Sequence, residues 1–154
     1  MKQRRLFAAL MLAAIAALAI AGPASAAKLG GAYQGGRLLT TTLTGAEEVP
    51  GPGDPDGTGF AAVTVNPGQG VLCYELSVSG IALDDTAAHI HEAPFGEAGD
   101  VVVPLQAPAD GSSGGCIDVG RALAKDILKN PADYYVNVHN AEYPAGALRG
   151  QLSK

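Results

Sequence analysis

Tryptophan is absent from this 154-residue sequence, and tyrosine and phenylalanine together make up only 5% of it. A sugar-stacking surface therefore has little to be built from. Positive charge is also scarce, with 10 Lys and Arg against 15 Asp and Glu and no basic cluster beyond residue 5. That balance argues against nucleic acid and anionic membrane surfaces as partners and is compatible with cations as ligands. Catalytic signatures are missing too. Ser77, Ser79, Ser112 and Ser113 lack a G-x-S-x-G setting. There is no phosphate-cradling glycine loop with a lysine and no H-E-x-x-H. The adjacent acids Glu47-Glu48 and Asp84-Asp85 read as solvated loop residues.

One long apolar run is present, and it stands at the start. A basic Met1-Lys2-Gln3-Arg4-Arg5 precedes an uninterrupted apolar stretch from Leu6 to Ala21. Gly22-Pro23 breaks it, and Ala24-Ser25-Ala26 supplies a small-x-small cleavage box. This is the grammar of a secretory signal peptide over residues 1–26; an uncleaved anchor is the alternative. Removal of 26 of the 154 residues leaves 128, enough for one domain. It takes three of the ten basic residues and none of the acids, so the charge moves from −5 to −8. The mature chain has no further membrane-length apolar stretch. The expected location is secreted or extracellular, or periplasmic where an outer membrane exists. The sequence carries no signal for oligomeric state.

Both cysteines, Cys73 and Cys116, lie beyond the cleavage box. An even count in an oxidising compartment favours one disulfide between them. A two-cysteine metal site is the alternative, without the close C-x-x-C spacing such sites use.

Residues 27–36 are small and glycine-rich and read as a flexible leader, with the domain running from 37 to 154. Strand patterns occur at Leu38–Leu43, Phe60–Val65, Val71–Val78, Ala87–Glu92, Val101–Leu105, Tyr134–His139 and Ala147–Leu152. In the third, Leu72, Tyr74, Leu76 and Val78 should face the core, because successive side chains point to opposite faces. Gly111–Gly115 reads as a loop tip. One helix follows it: Asp118 is the expected N-cap, and Val119, Leu123 and Ile127, with Ala122 beside them, form the apolar face. Lys125 and Lys129 lie towards its C-terminus, and Asn130-Pro131 stops it. Short strands, glycine-rich turns and a single helix predict an all-β sandwich or flattened barrel.

The three histidines are the most informative chemical feature. His89 and His91 share one face of a strand, opposite Ala88 and Ile90. On a later strand Tyr134, Val136 and Val138 read as the core set, so Tyr135, Asn137 and His139 point the other way. If the two strands are neighbours, three imidazoles converge on the side away from the core. Neutral imidazole suits copper, zinc and nickel, and three histidines with an open fourth position is a transition-metal arrangement. Glu92 or Glu142 are candidate oxygen ligands. The competing reading is structural, with the histidines hydrogen-bonding loops to the sheet. Asp54-Pro55-Asp56-Gly57-Thr58-Gly59 faintly echoes a calcium loop but reads better as a solvated turn. Arg149, between Leu148 and Gly150, is expected to pair with an acid such as Glu48 or to cap loop carbonyls.

Several motifs in order resemble a known family. They are Leu43-Thr44-Gly45-Ala46-Glu47-Glu48-Val49-Pro50; His89-Ile90-His91 followed by Val101-Val102-Val103; Tyr135-Val136-Asn137-Val138-His139; Pro144-x-Gly146; and Leu148-Arg149-Gly150-Gln151-Leu152. Over about residues 38–152 they resemble the CHRD domain, named after chordin and found in many secreted microbial proteins. The sequence departs from that pattern at Gly51–Gly57 and at Ala147, where a glutamate is common. The resemblance implies an all-β, immunoglobulin-like or superoxide-dismutase-like β-sandwich, here with one short helix. In animals the parent protein binds growth factors outside the cell. A second resemblance is narrower: Val78-Ser79-Gly80-Ile81, then His89-Ile90-His91-Glu92 and Phe95-Gly96, is similar to the copper-binding segment of copper–zinc superoxide dismutase. It implies His89 and His91 as ligands, with His139 as a third. That enzyme needs more histidines than this chain has, so two-metal dismutase activity is not expected.

Two functional expectations follow. The first is a secreted, non-enzymatic CHRD-type binding or structural domain, with an extracellular protein or cell-surface component as partner. The alternative is a mononuclear copper or zinc protein using His89, His91 and His139 in metal handling or redox defence. A hydrolase would need a convergent acid/base pair that the sequence does not reveal.

Overall fold

The computed structural model describes residues 35–84 and 86–154. The expected signal peptide over 1–26, nearly all of the expected leader over 27–36 and one acid of the Asp84-Asp85 pair lie outside the described residues.

Eight strands follow one another: β1 (Arg37–Thr44), β2 (Thr58–Asn66), β3 (Val71–Ser79), β4 (Ala87–Glu92), β5 (Asp100–Leu105), β6 (Ser112–Asp118), β7 (Tyr134–His139) and β8 (Leu148–Gln151). One helix, α1 (Gly120–Lys129), lies between β6 and β7. The strands form one sheet in the order β5-β4-β7-β8-β1-β2-β3-β6, with every pairing antiparallel. The join between β8 and β1 is thin. It rests on Thr44 opposite Arg149 and a bridge from Thr40 to Ser153. The sheet is nearly closed, and among the described residues the all-β class with one short helix holds.

Alternation explains the core. Leu39 and Leu43 on β1, Val63 and Val65 on β2, and Leu72, Tyr74, Leu76 and Val78 on β3 point inward. They meet Ala88 and Ile90 of β4, Val136 and Val138 of β7, and Leu148 of β8 in a single apolar cluster. At roughly 25 cal/mol per Å² of apolar surface, burying this set is the main drive to fold. Cys73 and Cys116 stand opposite one another in the β3–β6 register and are joined by a disulfide.

Three local readings need correction. Gly111–Gly115 is not a loop tip; from Ser112 onward the chain is β6, paired along β3. Glycine and serine disguised it, because they carry no strand pattern of their own. The helix begins at Gly120 with Val119 at its N-cap, although Asp118 Oδ1 still accepts the Gly120 N–H at 3.0 Å. Its buried residues are Ala124 and Ile127, whereas Ala122 is exposed. Among the described residues no helix is long and apolar enough to cross a membrane.

Candidate metal centre

β4 and β7 are neighbours, with Ala87 opposite His139, His89 opposite Asn137 and His91 opposite Tyr135. Asn137 in turn faces Arg149 on β8. The period-two rule therefore puts His89, His91, Tyr135, Asn137, His139 and Arg149 on one face, the reverse of the apolar core. That face is largely covered, with His89 and His139 half-buried. Asn137 is 3% exposed, His91 9% and Arg149 0%. The chain segments at 45–54, 93–99 and 140–147 supply its cover, through the contacts described next.

Each cover is fixed by polar side chains of the sheet. Arg149 donates from Nη1 to the Glu97 carbonyl at 2.7 Å and from Nη2 to the Pro94 carbonyl at 3.0 Å. Gln151 Nε2 donates to the Ala93 carbonyl at 2.8 Å. Gly99 donates its N–H to the Tyr135 hydroxyl at 3.2 Å and receives His91 Nδ1 on its carbonyl at 2.9 Å. No side chain fits at position 99, because a Cβ would run into the Glu92 carbonyl. β5 also slips register against β4 between Ile90 and His91, leaving Val102 as the extra residue of a bulge. Bulges of this kind re-aim neighbouring side chains.

The three imidazoles converge as the alternation requires. Ring centroids are 5.6 Å apart for His89–His91, 5.3 Å for His89–His139 and 6.1 Å for His91–His139. One ring nitrogen from each lies within 4.8 Å of the other two. Hydrogen bonding settles which nitrogen is free. A carbonyl only accepts, so His91 Nδ1 facing Gly99 and His139 Nδ1 facing the Pro144 carbonyl at 3.2 Å must carry the protons. In the neutral rings this leaves lone pairs at both Nε2 atoms, and both are buried without a partner. Nδ1 of His89 is likewise buried and unpartnered. Three orphaned ring nitrogens in one place are costly unless something satisfies them.

The set fits a transition-metal ion. Nitrogens at about 2.0–2.1 Å from a tetrahedral ion stand about 3.4 Å apart, so the rings need to close by about 1.5 Å or less. His91 and His139 already give their second nitrogens to carbonyls, the outer contact that fixes tautomer and orientation in metal-bound histidine. Burial holds the His89 basicity below its usual value, and the neighbouring His139 and His91 lower it further. Burial also lowers His139, partly offset by its bond to Pro144, with His91 adding to the depression. Both shifts favour the neutral form that a metal needs. Neither Glu92 nor Glu142 belongs to the converging group, and both are exposed.

Of the neighbours, alternation had placed Tyr135 and Asn137 on this face, whereas Arg149 and Glu48 were not legible as part of the site. Tyr135 stacks on His91 with centroids 4.9 Å apart and planes 11° from parallel, and the Arg149 guanidinium covers the other face at 3.6 Å. Arg149 thus caps loop carbonyls, one of its two expected roles. Glu48 is 5% exposed rather than solvated, and its Oε2 accepts Asn137 Nδ2 at 3.1 Å. Burial pushes its carboxyl up to about 7 against the opposing pull of the Asn137 bond, the Arg149 charge and the Val49 amide. Alternation placed Asn137 on the histidine face, but nothing local marks Glu48. The Asp54 segment is a turn, since Asp54 Oδ1 accepts the N–H groups of Asp56 and Gly57 at 3.0 and 3.1 Å.

The family model for the CHRD domain matches residues 39–152. No curated protein and no solved structure matches the chain.

Proposed function

Since this chain belongs to the CHRD domain family, we propose that it is a secreted binding domain whose own ligand is one transition-metal ion, copper or zinc. His89, His91 and His139 hold the ion, and its role is metal handling or redox defence. The observation that carries this reading is the convergence of three imidazoles, one ring nitrogen of each within 4.8 Å of the others, together with a buried, unpartnered nitrogen on every ring. The donor set is three neutral imidazoles with no carboxylate, which suits copper and zinc over magnesium and calcium. Copper(II) stands above zinc in intrinsic affinity for nitrogen sites. The disulfide fits an oxidising compartment. A bound ion supplies a Lewis-acidic centre with one position left for a small ligand. The chain itself fixes the ring orientations through Gly99 and Pro144 and covers part of the site with the segments at 93–99 and 140–147.

A structural role for the histidines is the second reading. It is favoured by the same bonds from His91 and His139 to carbonyls, which tie two loops to the sheet. Metal retention separates the two. The 27–154 chain is mixed with copper(II) or zinc(II), freed of excess and assayed beside His89→Ala/His91→Ala. About one equivalent, lost in the variant, is expected. No retention, or equal retention by both proteins, would leave the histidines structural and send the search to protein and cell-surface partners.

A further inference from the structure

Beside the imidazoles lies a second set of unsatisfied atoms. Glu48 and Asn137 are joined by one hydrogen bond, from Nδ2 to Oε2. Their remaining oxygens, Glu48 Oε1 and Asn137 Oδ1, are both buried without a partner. If Glu48 is ionised, both atoms are acceptors and neither can serve the other. A proton on Oε1 turns that oxygen into a donor, and a small rotation then lets acid and amide exchange two hydrogen bonds. The packing confirms that the carboxyl is enclosed. Gly146, at φ +148°, lies so close that a Cβ there would strike the Glu48 carboxylate, and a Cβ at Gly53 would press on its Cγ at 2.7 Å.

The charged and titratable groups around it are few. From β8 the Arg149 guanidinium attracts it; both Nη atoms of that side chain are bonded to Pro94, Glu97 and Gln151, and its Nε is buried without a partner. From its own loop the Val49 amide assists. On the shared face, Asn137 lies opposite His89, two residues before His139 and two after Tyr135, which stacks on His91.

Resting on the metal reading, we infer that Glu48 is the counter-charge of the histidine site and that metal uptake is coupled to its ionisation. Three neutral imidazoles leave the charge of a divalent ion uncompensated, and Glu48 is the buried carboxyl that Asn137 links to their face. The balance is simple. The ion enters, the Oε1–H bond breaks, the electron pair stays on the carboxylate and the proton goes to solvent. Because the carboxyl's usual range is shifted to about 7 in the ion-free protein, the coupling falls at neutral pH. Affinity rises as pH approaches that value and levels off above it.

The test uses zinc(II) alone, with the wild-type 27–154 chain and Glu48→Gln. The amide is an isostere of the protonated acid, able to accept from Asn137 Nδ2 and donate to Asn137 Oδ1. Zinc affinity is followed from pH 6 to 8, and the protonated-carboxyl infrared band is followed on zinc addition at pH 6. The wild type is expected to lose one such band, absent from the variant throughout. Its affinity should climb more steeply below pH 7, by up to about tenfold per pH unit. The variant should still bind one zinc, about tenfold more weakly at pH 8. Zinc binding with an unchanged carboxyl band and matching pH profiles would overturn the coupling alone. No zinc retention by the wild type would overturn the metal reading and the coupling with it.

Discussion

At the scale of single residues, the site is a balance of groups whose burial opposes their charge. Glu48 shows this most directly. Its carboxyl titrates near 7 in the fold against 4.5 ordinarily. The unfolded chain therefore loses the proton first as pH rises, and between those values it binds fewer protons than the folded chain. Stability from this group is complete below pH 4.5, falls as pH rises and is gone above about 7. The shift corresponds to on the order of 3 kcal/mol. Metal-free Glu48→Gln should thus melt near the wild type at pH 4.5 and well above it at pH 8; parallel melting curves across this range would show Glu48 to be ionised in the fold. His89 and His139 act in the opposite sense. Their folded values lie below 6.5, so the stability they confer is present above pH 6.5 and is lost as pH falls through the folded values. The imidazoles were legible because the alternation in His89-Ile90-His91 and in Tyr135-Val136-Asn137-Val138-His139 fixes a common face. Glu48 was not, since its burial comes from a loop folding over that face and no periodicity reports it.

At the scale of elements, two ties carry more than their size suggests. The Cys73–Cys116 disulfide holds β6 to β3 across a sequence separation of 43 residues. β6 is an edge strand with glycine at 114 and 115, poor in side chains to pack. Replacing both cysteines by serine should cost roughly 4 kcal/mol by loop-closure entropy, read from denaturant midpoints. A loss below about 1 kcal/mol would mean that β3 pairing alone orders the strand. The second tie is Arg149, which clamps the 93–99 segment through two carbonyls and stacks on Tyr135. Lysine cannot reproduce the fork. Arg149→Lys should cost about 3 kcal/mol and speed amide hydrogen exchange over 95–99. Unchanged exchange there would assign the clamp to Gln151 instead. The pairing of the cysteines followed from their number and compartment, whereas β6 itself escaped notice because Ser112-Ser113-Gly114-Gly115 has the composition of a turn.

At the scale of the whole molecule, the fold was legible wherever apolar residues alternate. Leu72, Tyr74, Leu76 and Val78 face the core as expected, and β4 and β7 run over the expected residues. The covered second face was not legible. It is built of polar residues whose burial depends on loops closing from β4–β5, β7–β8 and the segment after β1. The result is a sheet with an apolar core on one side and a small polar core on the other. An ion bound only by the folded state raises stability by about 2.7 kcal/mol at a free concentration one hundred times its dissociation constant. Zinc or copper should therefore raise the melting temperature of the wild type and leave His89→Ala/His91→Ala unmoved; equal shifts in both would place the ion elsewhere.

The most direct measurement is X-ray absorption of the protein loaded with one equivalent of zinc. Three imidazole scatterers at about 2.0–2.1 Å, reduced in number by the His89→Ala/His91→Ala substitution, are the predicted result. A shell of oxygen ligands alone, or an imidazole count untouched by that substitution, would contradict a three-histidine metal centre.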